Sequence, residues 1–327
     1  MTLPGSTVRP VAPDSPGGGL GPVIGPEPTY EILDPAFGAC VDPVSWLERL
    51  SGGHRWTEGP AYYADLRCLV FSDIPNQKLL RYDEESGAVS VLRASTGHAN
   101  GNTRDRRGRL VTCEQGARRV VRTEPDGSTT VLADSYRGRR LNSPNDVVVK
   151  SDGTIWFTDP SYGIMSDYVG NRAEQEQDTN NVYRIDPDGT ITAVADDVVM
   201  PNGLAFSPDE SLLYVADSAF LTDASAPRHL RRFAVDADNG LADRGVLAEV
   251  EPGIPDGFRA DTDGRLWVGA GDGVQCFTPD GELIGKIRVP EATANLAFGG
   301  PKRNRLYITA TSSLYAIYLN VTGAQSP

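Results

Sequence analysis

The sequence predicts an all-β protein: a six-bladed β-propeller of four-stranded antiparallel blades, closed by an N-terminal strand. Three observations lead there. Helix-period segments are almost absent, while short runs rich in Val, Ile, Leu, Tyr and Trp recur between DG and NG turns. Six segments share one pattern: WTEGPAYY, HANGNTRD, SPNDVVVK, MPNGLAFS, IPDGFRAD and TANLAFGG. One position in each carries a side-chain oxygen, reading Glu58, Asn100, Asn145, Asn202, Asp256 and Asn295, and an apolar run (LVFSD, LVTCE, IWFTD, LYVAD, LWVGA, LYITA) begins ten or eleven residues beyond it. Successive positions lie 42, 45, 57, 54 and 39 residues apart, near the period of a four-stranded blade. A closed circle of such blades leaves few exposed sheet edges.

The elements follow in order. The third repeat divides into NDVVVKSDG, TIWFTDP, NVYRIDPDG and TITAVADD, and the fifth into DGFRADTDG, RLWVGAGDG, VQCFTPDG and ELIGKIRVP. Their DG pairs read as hairpin turns. The sixth supplies only ANLAFGG, RLYITAT and SLYAIYL, so SWLERL (Ser45–Leu50) is expected to complete it. Residues 1–28, rich in Pro, Gly and Ser, read as a disordered lead, 29–320 as the propeller and 321–327 as a tail. The repeated residues open the innermost strands, and antiparallel pairing returns the ends of the second strands to the same face. Asp73, Glu114, Asp159 and Asp217 stand there, and the long stretch from Ser161 to Asn180 is expected to cover that mouth as a lid.

Bulk composition narrows the partners. No apolar run approaches the eighteen or so residues of a membrane span, so no membrane partner is expected. A net charge of −13 argues against nucleic acid, whose binders carry a basic footprint. The first residues lack an apolar core behind a basic start, which makes the cytoplasm the default compartment. Cys40, Cys68, Cys113 and Cys276 lie far apart without a CxxC and read as free thiols. GxSxG, HExxH and Walker sequences are missing. Oligomeric state has no signature in the chain.

The chemistry of the repeated position is oxygen-only. Any one Asn or Asp in PND, PNG or PDG could simply form a turn. Glu58 occupies the same place and is no turn former, so the set reads as a ring about one axis. Carboxylates and amides without His or Cys suit Ca²⁺ first, then Mg²⁺ or Mn²⁺; Zn²⁺ usually recruits His or Cys. His98, two residues before Asn100, is expected at the mouth.

At EGP, PND, PNGLAFS, PDGF and GRLWV the chain resembles the senescence-marker-protein/gluconolactonase family, over about Tyr30 to Leu319. The run LNSPNDVVVKSDGTIWFTDPSYG looks most like bacterial gluconolactonases. The resemblance implies a six-bladed propeller with one divalent cation on its axis, held by Glu58, Asn202 and Asp256, with Asn145 at the substrate end and in some members also a ligand. It implies a metal-dependent lactonase acting on a small sugar lactone such as glucono-1,5-lactone, with Asp256 as the catalytic base. Regucalcin-like members carry an arginine two residues before the third-repeat asparagine, where this chain has Ser143. His98, Asn100, Asp159 and Tyr162 are the expected substrate contacts. The alternatives are an organophosphate or aryl-ester hydrolase on the same scaffold, or a non-enzymatic calcium-binding propeller.

Overall fold

A computed structural model describes residues 29–325, and six antiparallel sheets follow one another around a ring. The innermost strands are Thr57–Tyr63, Ala99–Arg104, Val147–Val149, Pro201–Phe206, Phe258–Ala260 and Thr293–Gly299, and each neighbours the next until the last meets the first. The expected six-bladed propeller is therefore the observed fold. The lead over 1–28 lies outside the described residues.

Blade six closes as expected: Glu48–Ser51 pairs with Ser313–Tyr318 as its outermost strand. One pairing was not foreseen. Tyr30–Ile32 adds a fifth strand to blade five, against Leu283–Arg288, and the short helix Pro35–Cys40 then seats Phe37 between blades five and six. Three residues are too few for a period-two pattern to register. Val321–Gln325, expected as a tail, crosses the end of the channel opposite the repeated residues. There the Ala324 N–H donates to Ala260 O (3.0 Å) and Gln325 Nε2 to Thr103 Oγ1 (3.0 Å).

The core is divided among the blade interfaces. Val111, Cys113 and Val120 pack on Val147, Phe157 and Tyr183 between blades two and three, and Trp156 and Val148 meet Leu204 and Val215 between three and four. Comparable clusters fill the other four junctions. Each second strand is buried on both faces, which is why these strands read as unbroken apolar runs rather than alternating ones. All four cysteines are buried and free. Among the described residues no helix is long and apolar enough to cross a membrane.

Candidate active site on the propeller axis

The repeated residues sit where the innermost strands depart from regular pairing. The register slips by one residue between Glu58 and Ala61, Ala99 and Asn102, Pro201 and Leu204, and Thr293 and Asn295. Such a bulge re-aims the side chain beside it. Hydroxyls of the second strands pin the same places. Ser72 Oγ donates to Asn100 O (2.6 Å), Thr158 Oγ1 to Asn202 O (2.7 Å) and Thr309 Oγ1 to Asn295 O (3.1 Å).

Glu58, Asn100, Asn145, Asn202 and Asn295 are buried, and Asp256 is partly exposed. Glu58 Oε2 accepts from the Gly59 N–H (2.6 Å) and from Asn295 Nδ2 (3.1 Å). Asn295 is oriented by the Leu296 N–H, which donates to its Oδ1 (2.8 Å), so its Nδ2 faces the acids. It also reaches Asp146 Oδ2 at 3.4 Å. Only glycine fits at 257, because a Cβ there would collide with the Asn295 amide. That requirement explains the PDG sequence at this point.

Three carboxylates thus share one buried region. Burial and the charges of Asp256 and Asp146 push the Glu58 carboxyl well above its usual range. Burial, with Asp146 adding to it, lifts Asp256 to about 7 despite the opposing hydrogen bond from Asn202. Arg259, itself 3% exposed, approaches Asp146 Oδ2 with Nη1 at 3.6 Å, and the same nitrogen donates to Phe258 O at 2.7 Å. One guanidinium against three acids leaves a surplus of negative charge in a low-dielectric place. Among the described residues no three His, Cys, Asp or Glu side chains converge as a ligand set by themselves. A cation held here would therefore rest on amide oxygens as well as carboxylates. Hard oxygen donors and surplus negative charge fit a divalent cation such as Ca²⁺.

The expected substrate contacts divide. Tyr162 is partly buried, its hydroxyl donates to Ser218 O (3.3 Å), and burial followed by the charges of Asp256 and Asp217 raises its pKa, which sets it near Asp256. His98 is 6% exposed, lies over Gly116, has no partner for Nδ1, and is held toward its neutral form by burial. Asn100 donates from Nδ2 to Gln115 Oε1 (2.8 Å), and its own Oδ1 has no partner. Asp159 is fully buried and accepts the Asn142 N–H at 2.8 Å.

Asp159 belongs to a second repeated device. Asp73 accepts the N–H groups of Arg55 and Trp56 (3.2 and 3.4 Å), and Asp217 accepts those of Val199 and Met200 (both 3.0 Å). In three blades the acid ending the second strand clamps the loop that leads into the innermost strand. The stretch from Ser161 to Asn180 is tied down too. Ser143 Oγ donates to Pro160 O (2.5 Å) and accepts from the Gly163 N–H (2.8 Å) at its root. Gln115 Nε2 donates to Val169 O (2.6 Å) and Asn171 Nδ2 to Gly116 O (2.9 Å). Two acids of this stretch are held by ion pairs: Asp178 with Arg139 and Glu176 with Arg118.

Asp146, Arg259 and Gln115 escaped sequence reasoning. Asp146 follows Asn145 in a tripeptide that reads as a turn, and Gln115 sits in no motif. Arg259 had a usable signal, a lone charge inside an apolar innermost strand.

Comparison with known proteins agrees with this fold. Residues 56–312 match the SMP-30/Gluconolactonase/LRE-like region. A gluconolactonase of Zymomonas mobilis is 29% identical over 315 residues, covering 89% of this chain and 86% of its own. A pentonolactonase of Haloferax volcanii is 33% identical over 267 residues, covering 78% and 81%. The solved structure of a gluconolactonase from Xanthomonas campestris superposes with a TM-score of 0.85 at 38% identity, covering 93% of this chain and 99% of that one. A match this long places the chain in the SMP-30/gluconolactonase/LRE-like family.

Proposed function

We propose that this chain is a lactone hydrolase that opens a sugar lactone such as glucono-1,5-lactone to the aldonic acid at the axial site. The observation that carries the reading is the meeting of Glu58, Asp146 and Asp256 with ring amides at the head of the innermost strands, a buried acidic cluster with too little positive charge. The family relatives named gluconolactonase and pentonolactonase support the substrate class.

Glu58, Asn145, Asn202 and Asp256 would hold a divalent cation, with Ca²⁺ first by donor type. When bound, such an ion polarises the lactone carbonyl and stabilises negative charge developing on its oxygen. The remaining work falls to the chain. Asp256, the most exposed acid of the cluster, accepts a proton from the attacking water as that oxygen bonds to the carbonyl carbon. The carbonyl carbon then parts from the ring oxygen, which takes the proton back and leaves as a hydroxyl. Asn202 steadies the Asp256 carboxylate, and Asn295 holds Glu58 and Asp146 in place.

Asp256→Ala tests the reading. Turnover of glucono-1,5-lactone should fall by about 10³-fold, the usual worth of a positioned general base. The circular dichroism spectrum should stay native. Removal of divalent cations by a chelator should give a comparable loss, reversed by added Ca²⁺. Full turnover by the variant, or by the chelated protein, contradicts it.

A further inference from the structure

Asn100 holds the ring position of blade two, and its environment is unlike that of Asn102 two residues later. Asn102 is saturated: Nδ2 donates to Gly59 O (2.8 Å), Ser72 Oγ (2.9 Å) and Asn100 O (2.9 Å), while Oδ1 accepts from Thr112 Oγ1 (2.8 Å). Asn100 is 4% exposed and its Oδ1 has no partner. A buried amide oxygen left unpaired costs about 1–3 kcal/mol. Asn102 therefore belongs to the scaffold, and Asn100 keeps a free acceptor at the site.

The polarity of that amide is dictated from the lid. Val169 O is a main-chain carbonyl and can only accept, so the Gln115 group 2.6 Å from it must be the donor Nε2. Gln115 Oε1 then faces Asn100, whose Nδ2 turns toward it at 2.8 Å. Asn100 Oδ1 is left over. Reversing both amides would set Gln115 Oε1 against Val169 O, two acceptors in close contact. The second tie between these segments, from Asn171 Nδ2 to Gly116 O at 2.9 Å, holds the lid against the residue following Gln115.

We infer that Gln115 is a positioning residue that fixes Asn100 as the acceptor of a hydroxyl of the substrate, so that the 161–180 loop sets recognition of hydroxylated lactones. The inference rests on the lactonase reading above. A polyhydroxylated lactone brings O–H donors, each of which needs an acceptor once water is excluded. Asn100 is bonded to the lid side, whereas Glu58, Asp146 and Asn295 are linked to one another, and this separates hydroxyl recognition from the acidic cluster.

The test compares glucono-1,5-lactone with δ-valerolactone, which has the ring ester and no hydroxyl. In Gln115→Met, the ratio of kcat/KM for the first over the second should fall about tenfold, mainly through KM, the size expected for one lost hydrogen bond. Gln115→Leu, which removes the same two hydrogen bonds, should lower the ratio to a similar extent. Calcium titration should give the same affinity in both variants. An unchanged ratio in Gln115→Met overturns the inference. So does a fall in calcium affinity with equal loss on both lactones, which would put Asn100 in the cation shell. Should Gln115→Met fail to fold, a crystal structure of the wild-type protein with gluconate decides. A ligand hydroxyl within about 3.2 Å of Asn100 Oδ1 supports the assignment, and Nδ2 facing the ligand or Oδ1 on the cation overturns it. Wild-type protein inert toward both lactones overturns the lactonase reading itself, so the two failures are distinct.

Discussion

Glu58, Asn202 and Asp256 open innermost strands; Asp73, Asp159 and Asp217 close second strands on the same face of the propeller. Both sets recur blade by blade, and both are oxygen-bearing. Their partners differ. Asp217 accepts two main-chain N–H groups, and Asp73 accepts two together with Asn76 Nδ2 at 2.8 Å. Burial alone would raise Asp73, but hydrogen bonds from His54, Asn76 and the Arg55 and Trp56 N–H groups hold it below its ordinary value. Glu58 and Asp256 lie among like charges and are pushed the other way. Repetition marks both sets alike, and the unmet demand for positive charge is what distinguishes a chemical ring from an architectural one.

That contrast can be broken in graded steps. The largest effect belongs to Asp256→Ala, with its thousandfold loss of turnover and retained fold. Asp217→Ala should do the reverse. It leaves the Val199 and Met200 N–H groups without their acceptor, and urea unfolding should show a loss of about 3 kcal/mol. Wild-type stability in Asp217→Ala would remove the clamp from the account.

Asp159 sharpens the comparison because it is the intermediate case. One oxygen clamps the Asn142 N–H, the other has no partner, and burial lifts the carboxyl to about 7. Its folded pKa thus lies above the unfolded value near 3.8. The folded state holds the proton more tightly, so the associated stability is full below about pH 4 and is lost as pH rises toward 7. Asp159→Asn should remove that part of the slope. Urea midpoints measured from pH 4.5 to 7.5 in chelator should fall less steeply in the variant, and parallel curves would contradict the assignment.

The sequence made the propeller plain because each blade repeats an innermost strand, a turn and a doubly buried second strand at one period. The closing strand near Ser45–Leu50 followed from counting, whereas Tyr30–Ile32 was too short to be seen. Within the site, Glu58 stood out as a residue with no reason to form a turn. Asp146 stayed hidden because its neighbour Asn145 already accounted for the PND tripeptide, and its approach to Arg259 joins strands of different blades. Gln115 was invisible for a similar reason: its importance comes from Val169, 54 residues away. Asp159 shares its face with the ring residues, and its bond to the Asn142 N–H is a contact between segments that the sequence pattern does not display.

The central claim is that the inner ring holds a cation and the outer acids do not. Calorimetric titration of Ca²⁺ into the chelated wild type, Asp256→Ala and Asp217→Ala tests it most directly. The account predicts one site in the wild type, its loss in Asp256→Ala, and affinity within about threefold of wild type in Asp217→Ala, even as the last unfolds at lower urea. Calcium binding undiminished in Asp256→Ala, or abolished only in Asp217→Ala, would contradict it.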